Sequence, residues 1–223
     1  MNSEKCALLA VAGLLLLLLL RTVRCILLRC RSKGRQSPVR TLAVLGSGGH
    51  TAEMCMLLQS LEPARYTPLM LVTADTDSSS ATKARASLLT PSGWSAGEVD
   101  FYSIPRSREV GQGWASTVLS TLRATAAAFS LVLRLGPELL IVNGPGTCVP
   151  VCVATLVLLR ILGLRCSAGG EPRIIFVESF CRVHTLSMTG KLLYHLRIAD
   201  RVVVHWEGLA AQFPRVEFLG QLL

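Results

Sequence analysis

The chain has 223 residues, 51% of them hydrophobic, and a formal net charge of +9; that is enough for one good core and short for two domains. The charge is uneven, because residues 1–40 carry eight basic side chains against Glu4 alone while the rest carries 15 basic and 13 acidic ones. The globular part is therefore nearly neutral and lacks the basic-aromatic interleaving of an RNA-binding surface, which excludes nucleic acid as a partner.

Ala7–Leu20 is an unbroken apolar run. Its charge follows the run and no A-x-A-like cleavage site is evident, so an uncleaved anchor is favoured over a signal peptide. As a helix it covers about 21 Å of a hydrocarbon layer roughly 30 Å thick. Cys25-Ile26-Leu27-Leu28 extends the span if Arg21 and Arg24 snorkel. The positive-inside rule then puts the N-terminus in the lumen and residues 29–223 in the cytosol. Cys25 and Cys30 are available for palmitoylation, though nothing requires it. The expected organisation is an anchor with a basic flank (1–30), a polar linker (31–38) and one domain (39–223).

Leu42–Leu45 reads as a buried parallel strand that breaks into Gly46-Ser47-Gly48-Gly49, followed by an apolar helix pattern through Met54, Leu57, Leu58 and Leu61. Strand, glycine turn and helix suit an anion, since backbone N–H groups approach it closely and the helix start adds partial positive charge. Any tight turn of an α/β fold also uses glycines, but His50 puts a titratable side chain where a ligand would sit. Tyr66–Thr73 is the second strand, ending in Ala74-Asp75-Thr76-Asp77. Asp75 could hold a ribose, D-T-D could hold a metal diphosphate, or these residues simply cap the polar helix Ser78–Ala86. Val99–Ile104 is the third strand, and Pro105-Arg106-Ser107-Arg108 after it is a basic loop suited to phosphate or lipid headgroups.

Gly113–Leu135 reads as a long apolar helix and Glu138–Val142 as a fourth strand running into Asn143-Gly144-Pro145-Gly146-Thr147. This second glycine turn occupies the same structural position as the first, so a phosphate-binding edge gains weight. Val149–Leu164 is apolar but for Arg160; burial against the sheet is expected, with contact to a bilayer as the alternative. Arg173–Val177 is a fifth strand with Glu178, Arg182 and His184 beyond its carboxyl end. Ser187–Ile198 is helical, Arg201–His205 is a sixth strand, and Trp206–Leu223 closes the chain as an apolar tail. The eight cysteines form no C-x-x-C pair and the four histidines no H-E-x-x-H, so reduced buried thiols are expected rather than a zinc site or a disulfide framework. Alternating strands and helices predict a doubly wound parallel sheet.

G-S-G-G-H-T-A-E-M (46–54), A-D-T-D (74–77), N-G-P-G-T-C-V-P (143–150), V-E-S-F-C-R-V (177–183) and H-W-E-G-L (205–209) together resemble one family. It is that of the membrane-anchor subunits of the dolichol-linked UDP-N-acetylglucosamine transferase, the fourteenth asparagine-linked glycosylation family. More distantly the chain is similar to the N-terminal, acceptor-binding half of MurG-type GT-B glycosyltransferases. The resemblance implies a Rossmann-like acceptor domain completed by a small cytosolic catalytic subunit that carries most of the UDP-GlcNAc site. It implies residence at the endoplasmic reticulum membrane, with the preceding GlcNAc-phosphotransferase as a further possible partner. The implied reaction adds the second GlcNAc to GlcNAc-PP-dolichol, with no tightly bound cofactor and no metal.

On this reading His50 and Glu178 are the candidate bases. Gly46, Ser47, Gly48, Gly49 and Thr51, with Asn143, bind the acceptor and its diphosphate, and Gly144 and Gly146 line the acceptor sugar or the cleft facing the partner, with plain turn geometry as the alternative. Asp75 and Arg182 are further ligand contacts. Val216, Phe218, Leu219, Leu222 and Leu223 form the strip that docks the catalytic subunit. A glutamate bonded to backbone, or a histidine closing its turn, is the plain alternative at positions 178 and 50. His184, His195 and His205 are expected to be packing or surface histidines. Two other classes stay open: a membrane-anchored nucleotide-dependent oxidoreductase, although Thr51 replaces the third glycine of its fingerprint and no Y-x-x-x-K pair is present, and a non-catalytic scaffold.

Overall fold

A computed structural model describes residues 38–90, 93–107, 114–144, 146–164 and 171–220. The expected anchor (1–30), the linker as far as residue 37, Arg108, Gly113, Pro145, Leu222 and Leu223 lie outside them.

Seven parallel strands form one sheet: β1 (Thr41–Val44), β2 (Leu69–Ala74), β3 (Val99–Ile104), β4 (Leu139–Asn143), β5 (Arg173–Val177), β6 (Arg201–Val204) and β7 (Val216–Phe218). Their order is β3-β2-β1-β4-β5-β6-β7. The helices between them are α1 (Gly49–Gln59), α2 (Ser78–Leu88), α3 (Trp114–Leu135), α4 (Cys148–Ala154, continuing as a π-helical stretch over Thr155–Ile161), α5 (Met188–His195) and α6 (Glu207–Gln212). Period-two alternation divides the core. Ala43, Leu45, Leu69, Leu71 and Ile141 meet Met54, Leu58, Leu88 and Trp94 on one face. Leu42, Val44, Leu140, Val142 and Phe176 meet Ala128, Val132, Val151, Leu159 and Leu193 on the other. The doubly wound parallel sheet expected from the sequence is the fold observed.

Element ends differ where local chemistry intervenes. β2 starts at Leu69, not Tyr66, because Pro68 has no N–H to give a ladder. α1 stops at Gln59, where the Ser60 hydroxyl donates to the Leu57 carbonyl at 2.7 Å. α5 ends before Ile198 because Arg197 takes φ 54 and Ile198 N–H reaches back to the Leu193 carbonyl, a Schellman closure. The largest correction concerns Trp206–Leu223, which is not a tail: it holds α6 and the edge strand β7, paired to β6 from Val202↔Val216 to Val204↔Phe218. Val216 therefore turns into the core, while Phe218 and Leu219 stay 42% and 55% exposed. The apolar segment after β4 is buried through Val151, Cys152, Leu158 and Leu159. Burial pushes the Cys148 thiol up to about 12 and holds Cys152 well above its ordinary value.

Strand order reverses between β1 and β4, so the connections leaving their carboxyl ends turn to opposite faces of the sheet and leave a crevice there. That crevice is where both glycine turns emerge.

Candidate functional site

The first turn is built to hold its shape. Gly48, the residue before α1, takes φ 65, a conformation that costs a residue with a Cβ. Thr51 is 1% exposed, with its hydroxyl against the Gly46 carbonyl and 2.7 Å from Ser80 Oγ. Ser80 Oγ in turn lies 3.0 Å from the same carbonyl and donates to Asp77 Oδ2 at 2.6 Å. Thr51 thus fixes the turn from beneath and offers nothing to a ligand. Asp77 caps α2 by accepting from Ser80 N–H at 3.1 Å. Burial pushes its carboxyl up, but the Ser80 and Ser79 hydroxyls and amides outweigh that and hold it below its usual value. Ser47, Gly48 and Gly49 remain exposed, and the Arg106 guanidinium stands 3.5 Å from Ser47 Oγ.

Behind this turn lies a cavity of about 410 Å³ lined by Gly49, His50, Glu53, Gly144, Glu178, Ser179, Cys181, Arg182 and Ser187. Asn143, fully buried at the end of β4, connects its walls. Its Nδ2 donates to Glu53 Oε2 at 2.9 Å. Because a carboxylate only accepts, the amide orientation is fixed and Oδ1 faces His50 Nδ1 at 2.8 Å. His50 Nδ1 therefore carries the proton and donates. Nε2 is left with a lone pair and, among the described residues, no protein hydrogen bond. Gly144, at φ 71, passes so close beneath the imidazole that a Cβ there would sit 2.4 Å from Cε1. Only glycine leaves the ring its place.

Glu53 Oε1 also accepts from the Ser179 hydroxyl at 2.8 Å and from Phe180 N–H at 3.2 Å. One carboxylate thereby ties α1 to the ends of β4 and β5. The loop it holds is fixed on its other side by Trp206 Nε1, which donates to the Phe180 carbonyl at 2.8 Å, the two rings lying 5.0 Å apart. The sequence reading gave Glu53 no role. Its signal was the i, i+3 spacing from His50, which puts both on one helix face.

Glu178 is fully buried and accepts from Ser187 N–H at 2.7 Å and Ser179 N–H at 3.0 Å. A Cβ on Gly190 would come within 2.5 Å of its Oε2. Burial pushes this carboxyl up, and the bonds from Ser187 and Ser179 with the charge of Arg182 only partly offset the rise. A raised carboxyl binds its proton more tightly folded than unfolded. Its stabilising share is thus full below the ordinary value of 4.5 and lost as pH rises through the folded value. Thermal melts should accordingly give a wild-type advantage over Glu178→Gln that shrinks from acidic to neutral pH; an advantage that grows would reverse the sign. The glutamine keeps one of the two buried amides paired, so a loss of about 1–3 kcal/mol is expected at acidic pH.

Of the residues singled out in the sequence, the cavity gathers His50, Gly49, Gly144, Glu178 and Arg182, with Asn143 beneath them. Ser47 and Gly48 lie exposed on the turn leading into Gly49 of that lining, a rim that Gly46 does not join, since it is buried with its carbonyl facing Thr51 and Ser80. Asp75 and Gly146 are exposed on neighbouring loops and do not line it. Val216, Phe218 and Leu219 lie at the β7 edge of the sheet, three strands from β4. His184 and His195 are exposed, and His205 is buried against Phe180, ring centroids 5.8 Å apart.

A family described as "Oligosaccharide biosynthesis protein Alg14 like" matches residues 41–222. The chain is 43% identical over 203 residues to the human "UDP-N-acetylglucosamine transferase subunit ALG14", covering 89% of each. It is 42% identical to the rat protein of that name, covering 96% of each. A Yarrowia lipolytica relative of the same name is 34% identical, with 97% of this chain and 98% of that one covered. In fold, the chain resembles Acinetobacter baumannii MurG with a TM-score of 0.54 and 16% identity, over 82% of this chain but 44% of MurG. The chain belongs to the Alg14-like family of oligosaccharide biosynthesis proteins.

Proposed function

We propose that this chain is the membrane-anchored, acceptor-presenting half of a two-chain UDP-N-acetylglucosamine transferase. The complex would add the second GlcNAc to GlcNAc-PP-dolichol on the cytosolic face of the endoplasmic reticulum, for protein N-glycosylation. The relatives' shared name supports the reaction class. The observation that carries the two-chain reading is a single lobe spanning 44% of a MurG chain, its switch-point cleft open at the sheet's carboxyl edge. The donor would come from a small cytosolic catalytic subunit, for which Phe218 and Leu219 offer an exposed apolar edge.

The acceptor diphosphate suits the rim, where the start of α1 and Arg106 supply amides and positive charge, with Arg182 on the cavity wall. The acceptor sugar then extends toward His50. Its 4-hydroxyl attacks the anomeric carbon of the donor from the face opposite UDP; Nε2 of His50 takes the hydroxyl proton as the C–O bond forms, and UDP departs with the electrons of the broken bond. The configuration inverts to β. No resident cofactor enters this chemistry.

Membrane attachment is read from Ala7–Leu20 and gains support from α3. Ser116–Leu135 is long and apolar enough to cross a bilayer, yet Ala124, Ala128 and Val132 are buried while Val118, Leu119 and Leu122 are 60–71% exposed. An apolar face left outside the core is what a protein working against lipid would present. The test is co-purification from membranes followed by transfer to a defined GlcNAc-diphospho-lipid. The complex is expected to be active and the chain alone inactive; full turnover by the isolated chain would overturn the reading.

A further inference from the structure

We propose that Glu53 is a positioning residue that, through Asn143, decides which nitrogen of His50 carries the proton. The inference deepens the reading of His50 as the base and rests on it for its catalytic consequence, though not for its geometry.

All four groups facing Glu53 in the network are donors. Oε1 takes Ser179 Oγ–H and Phe180 N–H, and Oε2 takes Asn143 Nδ2–H, with His50 Nδ1 a further 3.4 Å away. Only a carboxylate satisfies donors on both oxygens. That requirement turns the Asn143 amide so that Oδ1 meets the imidazole at 2.8 Å. Asn143 has no exposure to water that could take over either role. The chain of constraint runs in one direction: carboxylate, amide orientation, Nδ1–H tautomer, free lone pair on Nε2. The packing of Gly144 under the ring keeps the imidazole from tilting away.

Glu53→Gln separates charge and shape. Its carbonyl still accepts from Ser179 and Phe180, but its NH₂ now confronts Asn143 Nδ2. Two donors cannot pair, so the Asn143 amide flips and offers Nδ2–H to His50. Nδ1 then becomes the acceptor, the proton moves to Nε2, and the lone pair faces away from the cleft. Adding Asn143→Asp reverses this: the new carboxylate accepts from the introduced glutamine NH₂ on one oxygen and from His50 Nδ1–H on the other.

The experiment is ring ¹⁵N NMR on ¹⁵N-histidine-labelled full chain in detergent, at mildly alkaline pH, with the His50 signals assigned by their loss in His50→Gln. The wild type is expected to show the Nδ1–H pattern, E53Q the Nε2–H pattern, and E53Q/N143D the Nδ1–H pattern again. In the reconstituted complex E53Q should lower kcat about 10²-fold or more with the acceptor KM unchanged, and the double variant should regain part of it. A folded E53Q that keeps Nδ1–H overturns the proposal. If E53Q does not fold, the fully paired double variant is still expected to fold and show Nδ1–H; its failure to do so overturns the network as well. A complex inactive with every variant, wild type included, would sink the transferase reading while the tautomer result stands.

Discussion

Replacing His50 by alanine is expected to lower sugar transfer by the reconstituted complex about 10²–10⁴-fold, the range a positioned general base supplies. The fold should survive. The side chain is 35% exposed, belongs to neither core cluster, and lines an open cavity. What alanine removes is the cavity's ring nitrogen with a free lone pair, together with one acceptor contact of Asn143. Loss of that hydrogen bond costs about 1 kcal/mol, too little to unfold a domain. The expected signature is a fall in kcat with a nearly unchanged KM for the lipid acceptor, since the diphosphate site proposed above is at the start of α1 and Arg106 and not at the imidazole. Glu178→Gln makes the contrasting case. Glu178 is fully buried and spends its oxygens on the backbone amides of Ser179 and Ser187. Its replacement should register mainly as a change in melting temperature and its pH dependence. If both substitutions left turnover intact while the companion subunit stayed bound, the chain would be a scaffold and the cavity no part of the chemistry.

The reasons these two residues separate were only half legible in the sequence. Strand, glycine turn and helix identified the position of His50, because backbone needs at a turn leave a compositional mark. The same marks gave Val99–Ile104 and Arg173–Val177 to the residue. The roles of polar side chains leave no such mark. Thr51, read as a ligand contact, is spent on the Gly46 carbonyl because Ser80 arrives from α2, 29 positions away. Nothing in the helix pattern singles out Glu53, and only the convergence of β4 and β5 gives it Asn143, Ser179 and Phe180 as partners. β7 was missed for a related reason. Three residues at a sheet edge, of which only Val216 is buried, carry too little periodicity to distinguish a strand from a tail, and the pairing that defines it comes from β6.

Asp200→Ala is expected to be the most damaging single change outside the cavity, costing about 3–5 kcal/mol, the usual effect of orphaning a buried charge. Arg160 interrupts the apolar segment after α4, and its side chain is 1% exposed. Its Nε donates to the Pro172 carbonyl at 2.7 Å and its Nη2 is hydrogen-bonded to Asp200 Oδ2. The same carboxylate accepts from Ile174 N–H at 2.7 Å, and Arg173 Nη1 stands 3.5 Å from its other oxygen. Alanine would therefore take from a guanidinium in the core the carboxylate bonded to it, and from the Ile174 amide of β5 its Asp200 acceptor. With native stability on the order of 5–15 kcal/mol, a drop in melting temperature of about 10 °C or more should follow. Asp200→Asn, which preserves an acceptor for Ile174 but not the charge, should fall between. Arg160→Met combined with Asp200→Asn should recover much of the loss, because removing both charges also removes the cost of burying them. A melting temperature unmoved by Asp200→Ala would mean that the guanidinium reaches water, and that the segment carrying it is not held in the core. The pair matters to the site because β5 is gripped by it at the amino end, and the carboxyl end of the same strand presents Glu178 and Ser179 to the cavity.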